Sequence, residues 1–261
     1  MPHVSVDGTR IHYREHGDGP GSMVLLGGFI STHRWWQPLL DVLDPDRYTC
    51  YAIDLRGTGD SDPTDEGHTF ARYLADLEAV VDAIGLERFG FVAHSMGAGV
   101  AMPYALAHPD RLSTLFLANP LSPRGTQHLT PEVVEAINSM CGSEDGIRAI
   151  IAGGFVTPPA DDGYLATLIG DGLGWGPAIY RGMMDEMGRY EITADLPRIQ
   201  TPTLVLWGDG DTVIPFDGIA SIYSGVPGCG LEVWHGVGHN TILEAPAKVA
   251  GLVDQFISEV G

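Results

Sequence analysis

Apolar and polar residues alternate along this chain with two different periods, and the two periods take turns. Residues 3 to 16 alternate well enough for two strands joined at Asp7-Gly8, a pair that favours a tight hairpin turn. After them, short continuous apolar runs near 23 to 27, 48 to 53, 88 to 93, 113 to 118, 203 to 207 and 230 to 235 read as strands covered on both faces. The segments between have helical spacing. The clearest places Phe70, Tyr73, Leu74, Leu77, Val80, Val81 and Ile84 on one face. Continuous apolar strands separated by helices predict an α/β fold, with a mainly parallel eight-stranded sheet, helices on both faces and an antiparallel N-terminal hairpin at one edge.

The alternation breaks once. From about 121 to 194 no strand pattern is visible, and four segments near 131 to 141, 144 to 153, 162 to 170 and 176 to 190 have helical composition punctuated by Gly and Pro. The predicted organisation is a core domain formed by 1–120 and 195–261, with an all-helical subdomain, 121–194, inserted after the sixth strand.

The composition narrows the partners. The 261 residues carry 34 acidic and 14 basic side chains, a net charge of −20. A phosphate backbone or an anionic membrane surface needs clustered Lys and Arg, so neither nucleic acid nor membrane is expected as a partner. Within 121 to 195 there are eleven acidic residues against Arg124, Arg148, Arg181 and Arg189, which disfavours phosphate-bearing thioesters. Small, uncharged, fairly apolar ester-like molecules fit better. Cys50, Cys141 and Cys229 are widely spaced and odd in number, as expected of free thiols in a reducing compartment. With no basic-then-apolar leader and no run of eighteen apolar residues, a cytoplasmic protein is expected. The ten histidines show no metal-ligand spacing, and no metal site or cofactor is read from them.

Three separated segments carry candidate chemistry, each where an apolar run ends. Ala93-His94-Ser95-Met96-Gly97 has small residues two before and two after the serine, as a nucleophile on a sharp strand-to-helix turn requires. Gly208-Asp209-Gly210-Asp211 offers two carboxylates just past a strand, where a carboxylate can orient a histidine without full desolvation. Gly238-His239 follows the last strand, with His235 as a rival base at the strand end. His94, next to the serine, is expected to point away from it in a structural role.

The order Ser, Asp, His resembles the catalytic triad order of the α/β-hydrolases. The resemblance covers about residues 3 to 119 and 195 to 259. It includes Asp54-Leu55-Arg56-Gly57-Thr58-Gly59-Asp60-Ser61, similar to that family's Asp-x-x-Gly-x-Gly-x-Ser loop and assigned a structural role. It also includes Gly238-His239 followed by Leu243-Glu244-Ala245-Pro246 and a last helix. The family's spacing favours Asp211 over Asp209 as the triad acid. The resemblance implies Ser95, Asp211 and His239 as catalytic residues, the backbone N–H groups of Phe29 and Met96 as an oxyanion hole, and the 121–194 helices as a lid. Of the apolar side chains there, Met140, Phe155, Trp175, Met183, Met184 and Met187 are divided between the lid's own core and the pocket, as are Trp35 and Trp36 beyond the oxyanion loop. Two positions depart from the pattern: Ala93 stands for the first glycine of Gly-x-Ser-x-Gly, and Gly27 stands where the family usually has histidine, which implies a loop lacking a polar anchor and therefore more mobile.

The activity implied is that of a serine hydrolase cleaving a carboxylic ester or lactone through an acyl-enzyme, without a cofactor. Two other readings share this constellation. One is a cofactor-free non-hydrolytic enzyme that cleaves C–C bonds, eliminates or makes peracids. The other is a signalling receptor of the same fold with weak hydrolysis.

Overall fold

The computed structural model describes residues 2–260. The predicted hairpin forms from β1 (His3–Val6) and β2 (Thr9–His16), with Asp7 and Gly8 both at positive φ, as a two-residue turn matching the strand twist requires. Six further strands follow: β3 (Gly21–Leu26), β4 (Tyr48–Ile53), β5 (Phe89–His94), β6 (Leu112–Ala118), β7 (Thr203–Gly208) and β8 (Gly230–Trp234). They form one eight-stranded sheet in the order β1-β2-β4-β3-β5-β6-β7-β8, antiparallel where β2 meets β1 and β4 and parallel from β4 to β8. All six residues of β4 and of β5 are buried, which is why their sequences are continuously apolar rather than alternating.

Ten α-helices connect or cover the strands among the described residues. In chain order they are α1 (Gln37–Leu40), α2 (Phe70–Ile84), α3 (Ala98–Ala107), α4 (Pro131–Met140), α5 (Glu144–Gly153), α6 (Asp162–Leu173), α7 (Pro177–Arg189), α8 (Phe216–Gly225), α9 (Thr241–Glu244) and α10 (Pro246–Val260). Helix α2 starts on Thr69, whose side chain accepts from Arg72 N–H, and stops at Gly85 in the left-handed region. It packs against α3, while α1 packs against α10. No helix among the described residues is long and apolar enough to cross a membrane.

The four helices α4 to α7 occupy the interval between β6 and β7 where the strand pattern is missing. Helix α6 runs past its predicted end near 170, through Gly170 and Gly172, to Leu173. A Cβ on Gly172 would lie 2.8 Å from Ile30 and 3.1 Å from Ile147, so this glycine permits close packing rather than ending the helix.

The register brings the strand ends into line. Leu26 of β3 pairs with Ile53 of β4 and with Ala93 of β5, Ala118 of β6 pairs with His94, and Gly208 of β7 pairs with Trp234 of β8. The loops after these residues therefore open on one side of the sheet, the carboxyl ends of its parallel strands, where open α/β sheets bind ligands.

Candidate active site

Ser95 follows β5 directly and begins a short 3-10 turn, Ser95–Gly97, that leads into α3. Its φ is +53°, a left-handed conformation that is costly for a residue with a Cβ and that commonly marks functional positions. The neighbouring glycines explain how the turn closes. A Cβ on Gly97 would come within 2.7 Å of both the Leu26 and the Gly27 carbonyl oxygens, and one on Gly28 would meet Ser95 Cβ at 2.7 Å.

Three residues from separate loops meet here. His239 Nε2 lies 2.9 Å from Ser95 Oγ, and His239 Nδ1 lies 2.9 Å from Asp211 Oδ2. The other Asp211 oxygen, Oδ1, accepts from the N–H groups of Val213 and Ile214 at 2.7 and 2.9 Å. Burial works to raise the pKa of Asp211, but the charge and hydrogen bond of His239, with the Ile214 N–H and Asn119, overcome it and hold the carboxyl below its ordinary value. Asp211 is therefore an anion held in place.

The rival residues form a separate pair. Asp209 binds His235 Nδ1 at 2.6 Å and the Gly236 N–H at 2.8 Å, in an exposed turn where the His235 side chain is 88% accessible. His94 does not turn away from the serine. It lines the same cavity, and its Nε2–H donates to the His239 carbonyl at 3.0 Å. Burial, and to a lesser degree the neighbouring His239, push its pKa down to about 3, so it is neutral and braces the His239 backbone.

Asn119 was not anticipated from the sequence. It sits just past β6 at φ +44°, fully buried, and its Nδ2 donates to Asp211 Oδ2 at 2.8 Å while its Oδ1 accepts from Thr241 Oγ1 at 2.8 Å. An Asn in the left-handed region after a strand is the one local signal that could have pointed to it. Glu244 is another. Its carboxylate accepts from Gly238 N–H at 2.7 Å and from Val156 and Thr157 N–H at 3.2 and 2.8 Å, joining the His239 loop to the segment after α5. Asn240 adds a bond to the Ile151 carbonyl at 3.1 Å.

The loop after β3 is anchored from an unexpected side. Gly27 has no room for a histidine, because its Cβ would fall 2.6 Å from Ser31 Cβ. The loop is held instead by its far end. Asp54 accepts from the backbone N–H of His33 at 2.6 Å and from its ring at 2.8 Å, and Thr32 Oγ1 donates to Asp171 of α6 at 2.6 Å. The expectation of a loop without a polar anchor is corrected accordingly. Between these fixed points Ile30 takes φ +65°, a strained conformation for a β-branched residue. Phe29 lines the cavity beside Ser95, and among the described residues its N–H has no hydrogen-bond acceptor. The Met96 N–H lies in the first turn of the short helix, where no internal acceptor exists.

Above Ser95 lies a cavity of about 280 Å³. Its walls combine Phe29, Ile30 and Trp35 with Ile137, Ile150 and Ile151 of α4 and α5, and with Met184 and Met187 of α7. Polar groups are few: besides Ser95, His94 and His239 they are Thr126, His128, Thr212 and Asn240. Of the residues divided between packing and pocket, Trp35, Met184 and Met187 reach the cavity. Trp36, Trp175 and Met183 are buried elsewhere, and Met140 and Phe155 are also absent from the wall.

Comparison with known proteins agrees with this architecture. Residues 21–139 match the family model described as the alpha/beta hydrolase fold. The chain is 28% identical to a putative carbamate hydrolase, RutD, of Caulobacter sp. (strain K31), over 99% of this chain and 98% of that protein. It superposes on the esterase RhEst1 from Rhodococcus sp. ECU1013 with a TM-score of 0.85 at 26% identity, covering 99% and 98% of the two chains. An esterase from Exiguobacterium antarcticum gives a TM-score of 0.91 with 98% of each chain covered, and at 22% identity shares the fold. From its sheet order, its strand-end loops and these matches, the chain has the α/β-hydrolase fold.

Proposed function

We propose that the protein is a serine hydrolase of carboxylic esters, acting through an acyl-enzyme. The observation that carries this reading is the chain Ser95 Oγ, His239, Asp211, with 2.9 Å at each link, opening into a mostly apolar cavity. In this reading His239 takes the Ser95 proton at Nε2 as Oγ attacks the ester carbonyl. Asp211 fixes the Nδ1–H tautomer and stabilises the imidazolium. The Phe29 and Met96 N–H groups hold the oxyanion, and His239 returns its proton to the departing alcohol. Water then enters by the same route, attacks the acyl carbonyl and frees Ser95.

The α4–α7 helices act as the lid in this proposal. They supply much of the cavity wall, and excluding water there strengthens every electrostatic interaction with the developing charge. With few polar groups in the wall and a volume at the lower end for ligand pockets, a small uncharged ester or lactone is the fitting substrate.

Activity on p-nitrophenyl esters of graded chain length, beside lactones, thioesters and carbamates, tests the proposal. Short esters are expected to turn over best. Ser95→Ala should lose turnover by about 10⁶-fold and abolish labelling by a fluorophosphonate probe. Labelling that persists in the variant, or a wild type inert toward the whole panel, would overturn the assignment.

A further inference from the structure

On the other side of the oxyanion loop, three residues that are far apart in sequence converge. His12 on β2, His33 after the loop and Asp60 in the turn after β4 each present a ligand atom, all within 4.8 Å of one another. Both imidazoles are buried, at 2% and 5% exposure, and their rings lie 4.6 Å apart. Two such groups gathered at one place need a common cause.

Asp54 supplies the orientation. It is fully buried, and its Oδ2 accepts from His12 Nδ1 at 2.7 Å and from His33 Nδ1 at 2.8 Å. Two backbone N–H groups, of His33 and Asp60, complete its set at 2.6 and 3.0 Å. With both Nδ1–H groups given to this one carboxylate, each ring is left with Nε2 as its donor atom. A carboxylate behind a histidine that fixes the tautomer and raises the basicity of the other nitrogen is the usual support of a metal-binding imidazole.

The set faces a cavity. His12, His33 and Asp60 line a space of about 410 Å³, with Arg34 at its side. Arg34 donates to both oxygens of Asp60 at 2.9 and 3.0 Å, which aims the carboxylate and leaves each oxygen a second lone pair. The Nε2–H of His3 donates to the Asp60 carbonyl at 3.0 Å, tying β1 to the same loop. Asp54, Asp60, Asp171 and Glu15 carry four negative charges here against the two positive charges of Arg34 and Arg14, so a dication improves the balance.

We infer that His12, His33 and Asp60 form a binding site for a first-row divalent transition ion, outside the Ser95 cavity, with Asp54 orienting both imidazoles. Two imidazole nitrogens and one carboxylate suit Zn²⁺, Ni²⁺ or Cu²⁺, whereas Mg²⁺ and Ca²⁺ prefer all-oxygen sets. Donors of a tetrahedral ion with bonds of about 2.0–2.1 Å lie roughly 3.3 Å apart. Asp60, part-exposed on its loop, is the member placed to close that distance. The ion's role would be to tie the β1–β2 hairpin, the loop after β4 and the end of the oxyanion loop together.

Calorimetric titration of the untagged full chain with ZnCl₂, paired with thermal melts, tests this. One saturable site and a raised Tm are expected. His12→Asn and His33→Asn keep a donor at the Nδ1 position for Asp54 but delete Nε2, and each should weaken Zn²⁺ at least about tenfold and remove the Tm increase, as should Asp60→Asn. Where a histidine variant fails to fold, Asp60→Asn, at the exposed edge of the set, decides alone. His239→Asn should keep the site, which separates it from metal entering the Ser95 cavity. No saturable binding up to about 1 mM Zn²⁺, or binding unchanged in the folded His12, His33 and Asp60 variants, would overturn the inference.

Discussion

Asn119 donates from Nδ2 to Asp211 Oδ2 at 2.8 Å, onto the same carboxylate oxygen that faces His239 Nδ1. The carboxylate is thus gripped on both sides: Oδ1 by the Val213 and Ile214 N–H groups, Oδ2 by the amide and the imidazole. A carboxylate with every direction satisfied cannot rotate out of line with the histidine, so the amide acts on the site through position rather than chemistry.

Replacing Asn119 by Gly keeps the left-handed backbone and removes only the amide. Asn119→Gly is expected to lower kcat on a simple ester by about tenfold, with KM little changed, and to cost about 1–3 kcal/mol of stability through the lost buried bonds. Steady-state kinetics and denaturant melts read both effects, and an unchanged kcat in a folded variant would show that Asp211 needs no help.

The two aspartates after β7 should separate cleanly. Asp211→Asn is expected to fold and to lose about 10³–10⁴ in kcat, because an amide favours the wrong histidine tautomer. Asp209→Asn touches only the exposed His235 turn and should leave kcat within about twofold of wild type. The opposite ranking would reassign the acid.

Gly27 is shaped by its neighbours. Gly27→His puts a Cβ 2.6 Å from Ser31 Cβ, and the Trp36 indole closes the space beyond at 3.8 Å. Overpacking of this kind costs about 1–3 kcal/mol, so the variant is expected to melt lower and to lose activity on all substrates alike. A gain in kcat from this substitution would mean that the loop was short of an anchor after all.

Acid should act on stability through His94 before it reaches the carboxylates. In the folded protein this buried imidazole titrates near 3, against 6.5 when exposed. Below pH 6.5 the unfolded chain takes up a proton that the native state refuses, so His94 favours folding fully above pH 6.5, and that advantage drains away as pH falls toward 3, by at most about 1.4 kcal/mol per pH unit. Asp54 adds its own loss lower down, between 3.8 and about 2. His94→Gln keeps a donor for the His239 carbonyl without a titrating ring. The stability difference between pH 7 and pH 5 should shrink in this variant by about 2 kcal/mol, as measured by urea unfolding at the two values. Equal pH dependence in both proteins would remove His94 from the account.

Periodicity alone was enough for the strands, for α2, and for the four-helix interval between β6 and β7, because continuous burial on two faces demands uninterrupted apolar runs and one-sided burial demands helical spacing. Ser95 and His239 could be singled out because a tight turn at a strand end requires small neighbours, and that requirement is local. What depended on tertiary structure was every contact between strand ends. Whether Asp209 or Asp211 faces the histidine is set by the register of β7 against β8 and by the turn that spends Asp209 on His235. The space denied to a side chain at Gly27, the grip of Asn119 on Asp211, and the meeting of His12 and His33 on Asp54 join residues 4, 92 and 21 positions apart. No pattern along the chain encodes those distances, because hydrogen bonds and excluded volume act through space, and only the packed sheet brings the partners within reach.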